Sequence, residues 1–132
     1  MGTLIDTSVL IAAERGLLTF ESIEPDVHEE LSLAAISASE LLHGVHRLKT
    51  GVRRARIEAM VEGLLRRLPV VPFDLSCARV HAMLSADLRS RGQAVGAHDL
   101  LIAATAVAHD LRVATRDKRS FPRIRGLNVA YW

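Results

Sequence analysis

The chain predicts an α/β fold: a mostly parallel sheet of five strands, covered by helices on both faces as a three-layer sandwich. Three observations carry this. Short apolar segments alternate with longer stretches of helical periodicity. The stretch Leu100 to His109 is apolar nearly all round, as a helix buried against a sheet must be. And 132 residues, 49% of them hydrophobic, suffice to bury a core in one domain without staples.

The elements follow in order. Gly2 to Ile5 reads as the first strand, Asp6-Thr7-Ser8 as a capping turn, and Val9 to Ala13 as a helix start. Glu21 to Glu30 is polar and acidic, an expected exposed helix. Leu33 to Ile36 is expected to be the second strand. From Ser37 to Lys49, Leu41, Leu42, Val45 and Leu48 recur on one side of a helix. Gly51 breaks the chain before a further helix, Val52 to Leu68, with Ile57, Met60, Val61, Leu64 and Leu65 as its stripe. Pro69 to Phe73 is a third strand between prolines. Leu75 to Arg91 is helical and stops at Gly92. Asp99 is expected to open the buried helix. Arg112 to Thr115 and Leu127 to Ala130 are the last two strands.

Composition narrows the function. The single cysteine, Cys77, excludes a disulfide framework and a thiolate zinc cluster, and fits a reducing cytoplasm. No apolar run approaches the roughly 18 residues of a membrane span. No basic region precedes an apolar stretch at the N-terminus, so no secretory signal is expected. Net charge is only +2, but it is polarised. Residues 1–46 hold one base and eight acids, whereas residues 47–132 hold sixteen bases and seven acids. Clustered Arg and Lys suit a polyanion, although a solvated helix face would read the same way. No Gly-rich phosphate loop is present.

In open parallel sheets, sites form beyond the carboxyl ends of the strands. Asp6 follows the first expected strand. Glu40 falls in the first turn after the second, Asp117 lies two residues after the fourth, and Asp99 opens the buried helix. Four carboxylates distant in sequence can therefore meet at one edge. Packed together they repel and are costly to desolvate. A divalent cation removes both costs, and oxygen-only ligands suit Mg²⁺ or Mn²⁺. Each acid also has a plainer reading. Asp6 and Asp99 can serve as N-caps, Ser37-Ala38-Ser39-Glu40 fits a capping box, and Asp117 can be a loop acid. His43 and His46 lack a third partner for zinc. His98 reads as a surface histidine that could also tune Asp99, and Ser8 lacks a recognisable triad.

These residues resemble the PIN domain, and within it the VapC toxins of VapBC toxin–antitoxin pairs. The resemblance rests on "LIDTSVLIAAE", "ISASELLHGV", "HDLLIAATAVAHDLRVATRDKRSF" and "IRGLNVAYW", in order along the whole chain. It implies a single PIN domain over residues 1–132, with a PIN-like α/β/α sandwich. It also implies that Asp6, Glu40, Asp99 and Asp117 are catalytic and hold Mg²⁺, with Asp6 and Asp99 the acids most consistently tied to the ion. Thr7 and Thr115 match supporting hydroxyls. Many relatives carry Asp before the Phe of the last loop, where this chain has Ser120.

The implied function is the toxic component of a type II system, a Mg²⁺-dependent endoribonuclease cutting tRNA, rRNA or mRNA. Metal-activated water leaves 3′-hydroxyl and 5′-phosphate ends. Arg116, Lys118 and Arg119 are expected to touch RNA phosphates, with Arg53, Arg54 and Arg56 extending the track. The implied partners are a VapB-type antitoxin lying in a groove, a second toxin copy and a larger hetero-oligomer, with no membrane. Acidic Glu21, Glu24, Glu29 and Glu30 could serve antitoxin docking. A catalytically silent PIN-like RNA-binding or scaffold module is the alternative. A dehalogenase-type phosphatase wants a second Asp where Ser8 stands, and a receiver domain wants paired acids that this chain lacks.

Overall fold

The computed structural model describes residues 2–19 and 30–132. The expected acidic helix, apart from Glu30, lies outside them, as do Glu21, Glu24 and Glu29. Five strands, β1 (Thr3–Ile5), β2 (Leu31–Ala34), β3 (Val70–Val71), β4 (Arg112–Thr115) and β5 (Val129–Tyr131), form one sheet in the order β3-β2-β1-β4-β5. Every pairing is parallel. The described helices are α1 (Thr7–Glu14), α2 (Ala35–His46), α3 (Val52–Arg67), α4 (Leu75–Ser90) and α5 (Ala97–Ala108).

Alternation along the central strands sorts the core into two layers. Leu4 and Val113 face one side, where they meet Leu84 and Leu88 of α4 and Ile102, Ala103 and Ala106 of α5. Ile5 and Leu33 face the other, against Val9 and Leu10 of α1, with Leu41 of α2 and Leu64 and Leu65 of α3 packed on them. The small residues of α5 let a helix lie close over the sheet while burying nearly every side. No described helix is long and apolar enough to cross a membrane.

Several boundaries differ from expectation. Strand β2 begins and ends two residues early, because its register is set by Thr3↔Leu31 and Leu4↔Ser32. Ile36 therefore belongs to the first turn of α2 and packs beside α5's layer. An apolar run by itself does not separate the end of a buried strand from the start of a buried helix. Strand β5 is shifted toward the C-terminus by its pairing with β4. A short 3-10 turn, Phe121–Arg123, was not expected, and it drives Phe121 fully into the core. Helix α4 does end at Gly92, whose φ of 64° suits a residue without a Cβ. At the end of α5 the same left-handed position is held by Asp110, with φ 54°.

A candidate active site at the carboxyl edge of the sheet

The strand order reverses at β1, which has β2 on one side and β4 on the other. Such a switch point opens a crevice beyond the strand ends. Asp6 stands there, the residue after β1, with its backbone N–H donating to Ala114 O of β4 at 2.9 Å. It occupies the N-cap position of α1, yet its side chain makes no capping bond. Its carboxylate instead accepts two hydroxyl bonds: Ser8 Oγ donates to Oδ2 at 2.7 Å and Thr115 Oγ1 donates to the same oxygen at 2.8 Å. Asp6 is 94% buried, so these donors are what make its position tolerable.

Glu40 reaches the crevice from the second turn of α2, not the first, because the helix begins at Ala35. The capping-box reading fails for the same reason. Ala34 is the N-cap, and Ser37 sits inside the helix with its buried hydroxyl unbonded among the described residues. Thr7 Oγ1 donates to Glu40 Oε2 at 3.3 Å. The other oxygen, Oε1, is buried without a hydrogen bond; His98 Nδ1 lies 3.3 Å away but outside hydrogen-bond geometry. Burial pushes the Glu40 carboxyl above its ordinary range, His98 and the Thr7 bond pull it down, and Asp6 and Asp99 push it up again.

Asp99 is not the N-cap of α5. That position is Gly96, and Asp99 lies in the first turn. Its carboxyl is also raised, first by burial, then by Asp6 and Asp117, against a hydrogen bond from Ser120 and the charge of His98. Asp117 is held in the loop after β4, where Thr115 Oγ1 accepts from its N–H at 2.9 Å and its own Oδ1 accepts from Arg119 N at 2.8 Å. The four acids are thus brought to one edge, near enough to act on one another electrostatically.

Three residues hold places in the site that their sequence positions do not suggest. Ser8 braces Asp6 and accepts from Arg116 N at 3.1 Å, so it links α1 to the β4 loop. Ser120, three residues after Asp117, hydrogen-bonds Asp99 and favours its ionised form. His98 faces Glu40 across helices and is not a detached surface histidine. The only signal for the first two was their closeness in sequence to an acid. The basic residues divide. Arg116 donates to Trp132 O at 3.1 Å, Lys118 Nζ stands 5.8 Å from the Tyr131 ring centre, and the exposed Arg119 side chain is unpaired among the described residues. Arg54 turns back to Leu48 O, whereas Arg53 lines a cavity beside Glu40.

Hard oxygen ligands, a buried unbonded Glu40 oxygen and carboxyls raised first by burial and then by one another fit a divalent cation. Such an ion turns the mutual repulsion of these groups into attraction. No three of the four carboxylates bring ligand atoms within 4.8 Å of one another; among the described residues that spacing is met by Asp74, Cys77 and His109.

Comparison with known proteins agrees along nearly the whole chain. The PIN domain family matches residues 3–127. Ribonuclease VapC1 of Rickettsia felis is 33% identical, covering 98% of this chain and 95% of that protein. The VapC ribonuclease Y4jK of Sinorhizobium fredii is 39% identical, with 96% and 94% covered. The crystal structure of DNA-bound VapBC from Salmonella typhimurium superposes with a TM-score of 0.87 at 27% identity, covering 100% of this chain and 98% of that one. PIN-domain nucleases generally use divalent metals, in keeping with the oxygen-rich edge. With its all-parallel sheet, its acidic crevice and its match over residues 3–127, this chain belongs to the PIN-domain family.

Proposed function

We propose that the chain is the toxin of a type II toxin–antitoxin pair, a metal-dependent endoribonuclease whose catalytic centre is the crevice at Asp6. The observation that carries this is the hydroxyl-braced Asp6 at the switch point, with Asp99, Glu40 and Asp117 in electrostatic reach. Asp6 and Asp99 would hold Mg²⁺, with Glu40 and Asp117 completing the set and Mn²⁺ the other hard ion it suits. Bound there, the ion supplies Lewis acidity and makes water a nucleophile at neutral pH.

The protein's own share is positioning. Ser8 and Thr115 fix Oδ2 of Asp6, leaving Oδ1 free to coordinate. Thr7 fixes Glu40, and Ser120 fixes Asp99. Arg116, Lys118 and Arg119, on the loop that carries Asp117, supply positive charge where the RNA backbone must pass. Water as nucleophile does not consume the ribose 2′-OH, so cleavage leaves 3′-hydroxyl and 5′-phosphate ends.

A VapB-type antitoxin is the partner. An apolar cavity of about 260 Å³, lined by Leu10, Ile11, Leu41, Ile57, Met60 and Leu64, opens beside Glu40 and suits an antitoxin segment that blocks the crevice. A toxin homodimer within a larger hetero-oligomer, acting in the cytoplasm where RNA is found, completes the reading.

The test is cleavage of total tRNA and rRNA by the purified toxin with Mg²⁺, with and without EDTA, followed by mapping of the new ends. Metal-dependent cuts bearing 5′-phosphate, absent in Asp99→Asn, are expected. RNA binding without cleavage would favour the silent module, and 2′,3′-cyclic phosphate ends would overturn the water mechanism.

A further inference from the structure

At the end of α5 remote from Asp99, three ligating side chains from two helices converge. Asp74 is the N-cap of α4, Cys77 lies in that helix's first turn, and His109 is the C-cap of α5. One ligand atom from each, a carboxylate oxygen, the thiol sulfur and an imidazole nitrogen, lies within 4.8 Å of the other two. His109 Nε2 is 3.7 Å from Asp74 Oδ2. No role in the acidic crevice involves any of them: Asp99 and His109 are ten residues apart on one helix, about 15 Å along its axis.

We propose that Asp74, Cys77 and His109 form a second metal site, selective for a borderline-soft divalent ion of the Zn²⁺ class and separate from the oxygen-only crevice. The ligand chemistry supports that selectivity. One thiolate, one imidazole and one carboxylate make the mixed S/N/O set that Zn²⁺ accepts, and a fourth position is left for water. Mg²⁺ takes oxygen ligands and has no use for a thiolate.

The support is already built. Cys77 N–H donates to Asp74 Oδ1 at 3.0 Å, which anchors one carboxylate oxygen and leaves Oδ2 on the His109 side. Cys77 is fully buried and cannot move far, whereas the side chains of Asp74 and His109 are 45% and 34% exposed and give an ion a way in. Coordination distances of 2.0–2.3 Å put tetrahedral ligand atoms about 3.3–3.8 Å apart, so the His109 ring need swing by only about 1 Å. Without an ion, burial pushes the Cys77 thiol up. Binding therefore releases one proton from sulfur to solvent, and the S–H bond is replaced by a metal–sulfur bond. The ion would pin the start of α4 to the end of α5.

Co²⁺ is the probe, because its thiolate charge-transfer absorption reports on sulfur and is silent for an all-carboxylate site. Chelator-stripped full-length toxin is titrated with Co²⁺ under reducing conditions. One equivalent per chain is expected to give the thiolate band, and Zn²⁺ should bleach it while Mg²⁺ should not. Asp6→Asn and Asp99→Asn should keep the band, which separates this site from the proposed catalytic one. Cys77→Ala should lose it. His109→Ala, at an exposed position that leaves the core intact, should weaken Co²⁺ binding by more than the roughly 10–100-fold that loss of an outer-shell partner costs. Absence of the band in the wild type, or its persistence at unchanged affinity in His109→Ala, overturns the proposal.

Discussion

Helix α5 has a cluster of ligating groups at each end, and the two are made differently. At its amino end, the acids come from strand termini and the first two turns of helices, and hydroxyls of neighbouring segments brace them: Ser8 and Thr115 on Asp6, Thr7 on Glu40, Ser120 on Asp99. At its carboxyl end, two helix caps and one core cysteine meet, and the brace is a capping bond within α4. The first cluster pays in repulsion for a dense set of hard oxygens. The second sets a single carboxylate beside an imidazole and a thiol whose ionisation burial opposes. The difference teaches that a sheet edge can force like charges together, because backbone pairing across the sheet holds them, while a pair of helix ends gathers groups that tolerate each other.

The largest expected effect tests the amino end. Asp99→Asn should cut RNA cleavage by at least about 10²–10³-fold, the scale of losing a preorganised electrostatic group. The metal-free protein should meanwhile become more stable, by up to about 1 kcal/mol, since a desolvated and repelled charge is gone. Urea unfolding in chelator reads the second quantity, and a destabilised variant would refute the account of repulsion. Thr115→Val comes next. It keeps the shape but removes a buried hydroxyl from Asp6, at a cost of about 1–3 kcal/mol in unfolding free energy.

Titration sharpens the contrast further. The raised carboxyls of Glu40 and Asp99 cost nothing in acid, where folded and unfolded chains are both protonated. Above the ordinary values of 3.8 for Asp99 and 4.5 for Glu40, the unfolded chain releases protons that the folded one retains. Stability then falls as pH rises, until the folded carboxyls ionise too. In chelator, Glu40→Gln/Asp99→Asn should show a shallower decline over that window than the wild type, measured as the urea midpoint against pH. The smallest effect is expected just beyond the carboxyl end of α5. Asp110 holds φ 54°, so Asp110→Gly should raise stability by about 0.5–1 kcal/mol in thermal melts.

Much of this was legible in the residues. The alternation of short apolar runs with helical stripes yields the sheet and its covering helices, because burial on both faces leaves a mark in composition. The acids at successive strand ends were legible too, since a parallel sheet sends all its carboxyl ends to one edge. Finer placement was not. The true start of α2 depended on strand register, which moved Glu40 from the first turn to the second and dissolved the capping box. Phe121 entered the core through a 3-10 turn whose three residues carry no period.

Sequence alone determined the layer order, the family resemblance and the four acidic positions, because these rest on residue type and on spacing within segments. Only the tertiary structure decided that Ser8 and Thr115 share one oxygen of Asp6, that His98 faces Glu40, and that Cys77 stands beside Asp74 and His109. Those pairings join segments up to 109 residues apart. They form only when helices and strands settle against a common core, and no local pattern records that geometry.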